Sequence, residues 1–210
     1  LELYGHANYN SKEVDGGFFF RNPTNRGAVY SGDGGATLLI GDLAPNDGVD
    51  CPVVAMNGNI PDGDAFAQVQ ADPNCFSFQE TITGGFTPRF GGDITAMSFL
   101  IGLRGEINEN LRWDVGAYRG EHEADFFINN TVNASLGPDT PRDFDPGLYK
   151  QTDTNFNADL SWTVSDTLNI GFGGEFRNEE FEIGPGQVES YTAGPLADQG
   201  FSTSSNGFPG

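Results

Sequence analysis

The sequence predicts an all-β chain, folded as an antiparallel meander of about five long strands. Three observations point there. Apolar and polar residues alternate with period two over several long runs, sets that a helix cannot place on separate faces. The composition holds 30 glycines and 18 phenylalanines but lacks runs of the Ala, Leu, Glu and Lys that favour helices. The connections between the runs alternate between long and very short.

The first run opens the chain, with Leu1, Leu3, Gly5, Ala7 and Tyr9 on one side and Glu2, Tyr4, His6, Asn8 and Asn10 on the other. A second, near 95–107, sets Met97, Phe99, Ile101, Leu103, Gly105 and Ile107 against Ser98, Leu100, Gly102, Arg104 and Glu106. After Asn108-Glu109-Asn110 comes a third, near 111–127, where Leu111, Trp113, Val115 and Ala117 alternate with Arg112, Asp114, Gly116 and Tyr118. The fourth, near 154–164, places Phe156, Ala158, Leu160, Trp162 and Val164 opposite Asn155, Asn157, Asp159 and Ser161. Beyond Ser165-Asp166 the fifth, near 167–182, sets Leu168, Ile170, Phe172, Gly174 and Phe176 against Asn169, Gly171, Gly173, Glu175 and Arg177.

Turns of about three and about two residues suit hairpins, whereas the stretches 11–93, 129–153 and 183–210 are long. That parity is the one expected of an outer-membrane barrel, with long extracellular loops and short periplasmic turns. Runs of about 10–16 residues suit strands that cross a bilayer at a tilt and project beyond it. The apolar face is expected to meet lipid. The other face carries Arg104, Glu106, Arg112, Asp114, Asn157, Asp159, Glu175 and Arg177 and is expected to face a polar lumen. Trp113 and Trp162 lie within a few residues of short turns, where an interfacial aromatic girdle belongs. A soluble sandwich also alternates, but its loops seldom exceed about 12–15 residues without structure of their own.

The net charge of −20, from 30 acidic and 10 basic side chains, excludes a general nucleic-acid binder. No apolar stretch is long enough for a transmembrane helix. The chain opens on Leu1-Glu2-Leu3-Tyr4 without a signal peptide and stops in loop chemistry, so it reads as a piece of a longer protein. Cys51 and Cys75, both in the first long loop, are expected to form a disulfide in an oxidising compartment. The same loop carries Asp33, Asp42, Asp47, Asp50, Asp62, Asp64 and Asp72, but without the spacing of a calcium loop, so a solvated acidic face is expected and no metal. Glu121-His122-Glu123 is not a zinc helix motif, and Gly171-Phe172-Gly173-Gly174 lacks the Lys-Ser/Thr of a phosphate loop. No nucleophile elbow occurs, and neither enzyme activity nor a cofactor is expected.

Several segments resemble the barrel region of TonB-dependent receptors from Proteobacteria. They are Gly16-Gly17-Phe18-Phe19-Phe20-Arg21-Asn22-Pro23 with Arg26-Gly27, Asp47-Gly48-Val49-Asp50-Cys51-Pro52, and Asp72-Pro73-Asn74-Cys75-Phe76. Further on are Gly84-Gly85-Phe86-Thr87-Pro88-Arg89-Phe90-Gly91-Gly92, Leu103-Arg104-Gly105-Glu106 and Trp113-Asp114-Val115. The last are Asn133-Ala134-Ser135-Leu136-Gly137-Pro138, Phe144-Asp145-Pro146-Gly147, Ser190-Tyr191 and Ser205-Asn206-Gly207-Phe208-Pro209-Gly210. Each block is weak alone, but together they span nearly the whole chain in order.

The resemblance implies a Gram-negative outer-membrane barrel of twenty-two strands with an N-terminal plug, taking up a scarce nutrient with energy passed by TonB. On that basis the present chain, residues 1–210, is a partial barrel of about five strands without the plug. Its partners would be outer-membrane lipid, the TonB complex through that plug, and a small nutrient ligand. Ligand selection would rest on the long loops, with Tyr30, Phe66, Phe86, Phe90, Tyr149 and Tyr191 as candidates to stack on a sugar or planar chelate; loop packing is the competing role for each. The alternatives are a secreted or surface acidic β-sandwich or adhesin that binds Ca²⁺, and a passive porin.

Overall fold

A computed structural model describes residues 1–206. In chain order, strand β1 (Glu2–Gly17) is followed by short strands β2 (Gly41–Asp42), β3 (Met56–Asn57) and β4 (Ile60–Pro61). Helix α1 (Gly63–Ala71), strand β5 (Cys75–Phe76) and helix α2 (Phe78–Thr81) come next. Four long strands then follow: β6 (Arg89–Asn108), β7 (Leu111–Asn129), β8 (Phe144–Ser165) and β9 (Leu168–Pro185). The five long strands form one antiparallel meander in the order β1-β6-β7-β8-β9. The sheet is open, and no closed barrel exists among the described residues.

The parity of the connections holds, with different boundaries. Glu109-Asn110 joins β6 to β7 and Asp166-Thr167 joins β8 to β9. The long connections are 18–88, 130–143 and the stretch from 186 onward, rather than 11–93, 129–153 and 183–210. The strands outrun the alternation that reveals them: Ser11–Gly17 and Asp145–Thr154 carry few apolar residues at period two yet are extended. Gly207–Gly210, which end the last expected loop and the last resemblance block, lie outside the described residues.

The chain divides into two compact units. The first comprises Leu1–Val14, Asp93–Asp125 and Leu148–Gly184, which are strands and their hairpin turns. The second comprises Asp15–Gly92, Phe126–Gly147 and the residues from Pro185. Among the described residues, every buried apolar side chain except Ala124 belongs to the second unit.

Three chain segments share the larger core of that second unit: Val29, Tyr30, Phe76, Phe78 and Phe86 from the first, Val132 and Ala134 from the next, Leu196 and Phe201 from the last. The rings meet edge-on, with Phe76 and Phe78 centroids 4.9 Å apart and Tyr30 and Phe78 6.3 Å apart. The buried Tyr30 hydroxyl donates to the Ile82 carbonyl at 2.7 Å, and burial pushes its phenol up. Asn133 ties two segments together: its Nδ2 donates to the carbonyls of Glu189 and Thr192 at 2.9 and 2.8 Å, and its Oδ1 accepts from Ser135 at 2.7 Å. Gln199 pairs with Asp42 as a strand would, its Oε1 accepting from the Asp42 N–H at 2.7 Å and its Nε2 donating to the Asp42 carbonyl at 2.8 Å.

A smaller core of Leu38, Val54, Val69 and Cys75 is packed by Cys51 and Phe66 among others. The expected disulfide joins Cys51 and Cys75, with Cα atoms 5.7 Å apart. Two helices interrupt the first loop, both started by their own caps. Asp62 accepts from the Ala65 N–H at α1, and Ser77 with Glu80 forms a capping box at α2.

Leu196 fits where Gly41 and Gly137 leave room, since a Cβ at either position would come within 2.7 or 2.9 Å of its Cδ1. Leu196→Ala is therefore expected to destabilise the loop unit by about 2–5 kcal/mol, read from the denaturant midpoint of the near-UV aromatic signal. An unchanged midpoint would show that this core does not hold the third segment.

Candidate functional site

In the strand unit large apolar side chains are exposed along one face, and the charged side chains of the other face are exposed as well. On β6, Met97, Phe99, Ile101 and Leu103 are exposed, the first two at 51% and 53%, while Ser98 and Leu100 are half-buried and Gly102 is buried. On β7, Val115 is exposed whereas Asp114 and Tyr118 are half-buried. Phe156 and Trp162 on β8 and Leu168, Ile170, Phe172 and Phe176 on β9 are exposed as well.

On the polar face, glycines let several side chains lie flat across the sheet, while its charged side chains stay exposed. A Cβ on Gly102 would stand 2.2 Å from Cζ of Tyr4, and one on Gly116 2.7 Å from Oδ1 of Asn157. Gly173 likewise yields to Asp159, and Gly120 leaves room for Tyr118 of its own strand. Lying over Gly102, Tyr4 reaches β7 and donates its hydroxyl proton to Asp114. The other candidate lumen residues join the same layer. Arg104 pairs with Glu2 at 2.6 Å, Arg112 with Glu106 at 3.0 Å, and Arg177 with Glu179. Asn157 donates to Asp159 at 3.1 Å, and Asn155 donates to Glu175. Thus all eight residues from Arg104 to Arg177 named from the sequence lie on one hydrogen-bonded face. Glu2, Arg104, Glu106, Arg112, Asp114 and Asp159 border an open cavity of about 780 Å³.

The opposite face is apolar only over a bounded height. On β9 the band runs from Leu168 to Phe176, on β8 from Phe156 to Val164, and on β6 from Met97 to Ile107. Past it the same face turns polar: Asn178, Glu180 and Glu182 on β9, Thr154, Thr152 and Lys150 on β8, Arg119, Glu121 and Glu123 on β7. There Lys150 Nζ lies 2.9 Å from Glu121 and 3.8 Å from Glu123. Nine residues, as on β8 and β9, at about 3.3 Å each and tilted by about 40°, give a height of about 23 Å. Transmembrane barrels carry an apolar band of about 25 Å.

The six aromatics named as ligand-loop candidates scatter. Tyr30 and Phe86 are core residues at 0% and 3% exposure, which assigns them to packing. Phe66 sits on α1 against the smaller core. Phe90 and Tyr149 lie in β6 and β8 rather than in loops; Phe90 stacks on Phe126 at 5.5 Å, and Tyr149 meets Phe181 at 5.7 Å. Tyr191 is 45% exposed beside a short 3-10 turn. The acids of the first loop mostly build turns. Asp33, Asp42, Asp47, Asp62 and Asp72 each accept from a backbone N–H within four residues. Asp33 is held well below the usual carboxylate range by the Thr37 N–H, the Thr37 and Ser31 hydroxyls and the Ala36 N–H. No group of three or more metal-ligating side chains is gathered among the described residues.

If Tyr4 needs the space over Gly102, then Gly102→Ala is expected to destabilise the sheet by about 1–3 kcal/mol. In a Tyr4→Ala background the same change should cost nothing. A double-mutant cycle on urea unfolding in detergent reads the coupling; additive effects would contradict the packing described. Compared with known proteins, the chain matches no family model, no curated sequence and no solved structure.

Proposed function

We propose that this chain is part of the wall and loops of an outer-membrane TonB-dependent receptor, which takes up a scarce nutrient rather than catalysing a reaction. The observation that carries the proposal is the bounded band of large exposed apolar side chains on the face opposite a hydrogen-bonded polar layer. Burying such side chains is worth about 1.5–3 kcal/mol each, so a face holding Phe99, Ile101, Phe156, Trp162 and Phe172 calls for an apolar cover. Its height suits the hydrocarbon of a bilayer, and its charged margin suits the headgroup level.

A lumen-facing role for the opposite layer follows from the same alternation. The choice of a TonB-dependent receptor over a passive porin rests on the sequence blocks that resemble that family. A soluble calcium-binding sandwich fits less well, because its apolar face would be the covered one and its acids would converge.

Substitutions near mid-band separate these readings. Ile101→Arg and Phe172→Arg are each expected to destabilise the chain in lipid vesicles by about 2–4 kcal/mol, and Asn155→Arg on the polar face by far less. Folding into vesicles, followed by heat-modifiable gel mobility against urea, makes the comparison. Equal tolerance on both faces would sink the membrane assignment.

A further inference from the structure

Not every side chain on the polar face of the strand unit has a partner within it. Nearer the short turns Arg104 and Arg112 pair with Glu2 and Glu106, Tyr4 with Asp114, and Ser161 with Asn169. Farther along the strands, Asn8 of β1, Ser98 of β6, and Tyr118 and His122 of β7 make no side-chain hydrogen bond among the described residues. With Asp153 of β8 these four border one hollow of about 170 Å³. Gly120 forms part of it, and the Tyr118 hydroxyl lies over that glycine. Unpaired groups scattered on a surface are ordinarily met by water. Here amide, hydroxyl, imidazole and carboxylate converge on one space from four strands.

An aromatic pair continues the strip. Asp153, Gln151 and Tyr149 follow one another at every second position of β8 and so share that face. Gln151 donates to Asp153 at 3.4 Å, and the Tyr149 ring stands 5.7 Å from that of Phe181 on β9, which is 62% exposed. The two rings are inclined at 53°, so they offer separate faces rather than a slot for one planar chelate. Charge narrows the class further. No lysine or arginine borders the hollow, which leaves an anion without a counter-charge there. Of its two carboxylates, Glu121 already has Lys150 at 2.9 Å, and Asp153 alone is too little for a metal ion or a polycation.

We propose that this strip, from Asn8, Ser98, Tyr118, His122 and Asp153 to the Phe181 ring, binds a neutral, hydroxyl-rich ligand of the oligosaccharide class. A sugar hydroxyl both donates and accepts, which the mixed lining of the hollow matches, and the C–H face of a sugar ring packs on an exposed aromatic ring. Four residues of β8, about 13 Å at about 3.3 Å each, separate Asp153 from Tyr149, so the ligand spans more than one sugar unit. The proposal deepens the receptor reading, in which this face lines the lumen and the sugar is the nutrient. Binding itself needs only the folded sheet.

The test uses the full chain folded in a polyoxyethylene detergent, which carries no sugar headgroup. Maltotriose, cellotriose and triacetylchitotriose are titrated, with citrate and spermidine as charged controls, and saturation-transfer NMR reads the binding. Saturable binding of at least one trisaccharide, and of neither control, is expected. His122→Ala and Phe181→Ala, both at exposed positions, should each weaken it about threefold to tenfold. Asn169→Ala, on the same face but paired with Ser161 nearer the short turn, should leave it unchanged. No saturable binding of any trisaccharide, binding of citrate or spermidine in its place, or binding that survives both substitutions would overturn the site. That failure would leave the membrane reading standing, because insertion is read separately from Ile101→Arg and Phe172→Arg in vesicles. Failed insertion would likewise leave sugar binding in detergent untouched.

Discussion

A β-strand sends successive side chains to opposite sides, so one residue's direction fixes that of all its neighbours until a bulge or break intervenes. In this chain that constraint runs through five strands in register. It forces the charges Arg104, Glu106, Arg112 and Asp114 onto one face together and the rings and branched chains onto the other. The sheet has no alternative way to divide them. Its polar side is knit by ion pairs and by Tyr4, Asn157 and Asp159 lying across glycines, while its apolar side is exposed with no partner groups of its own kind beyond the strand neighbours. The proposed insertion into a bilayer is the reading in which both halves of that division are satisfied.

The loop unit solves the opposite problem. Its connections are too long and too polar to hold shape as isolated turns, yet they share one aromatic core from three chain segments. Residues that keep this core together are small or polar as often as apolar: Asn133 and Gln199 replace backbone pairing, Gly41 and Gly137 make room for Leu196, and Gly85 takes a positive φ where a Cβ would strike the Arg21 carbonyl. The Cys51–Cys75 bridge holds a second, smaller core whose own apolar residues are few. A cross-link over such a loop restricts the unfolded chain by about 3 kcal/mol in the chain-entropy view.

Strand direction and hairpins were legible in the sequence because period two is written wherever one face is apolar. The same rule explains the boundary errors, since strands that continue past the apolar band, such as Ser11–Gly17, lose the alternation and look like loop. Both helices were missed under the glycine-rich composition, although Asp62 and the Ser77/Glu80 pair are cap signals that a local search finds. Which residues share the polar face follows from parity alone. Loop aromatics were not separable that way. Tyr30 and Tyr191 look alike in sequence, yet one is fully buried and the other half exposed, because core membership depends on contacts with segments more than a hundred residues away.

The central claim, that the apolar face meets lipid, can be tested with the two native tryptophans. Trp113 and Trp162 both lie on that face, close to the short turns, and the chain has no others. In vesicles of lipids brominated at defined acyl positions, the account predicts strong fluorescence quenching, greatest for bromines near the interface and weaker for those at the bilayer centre. Tryptophan emission untouched by bromines at any depth, with the sheet folded, would contradict it.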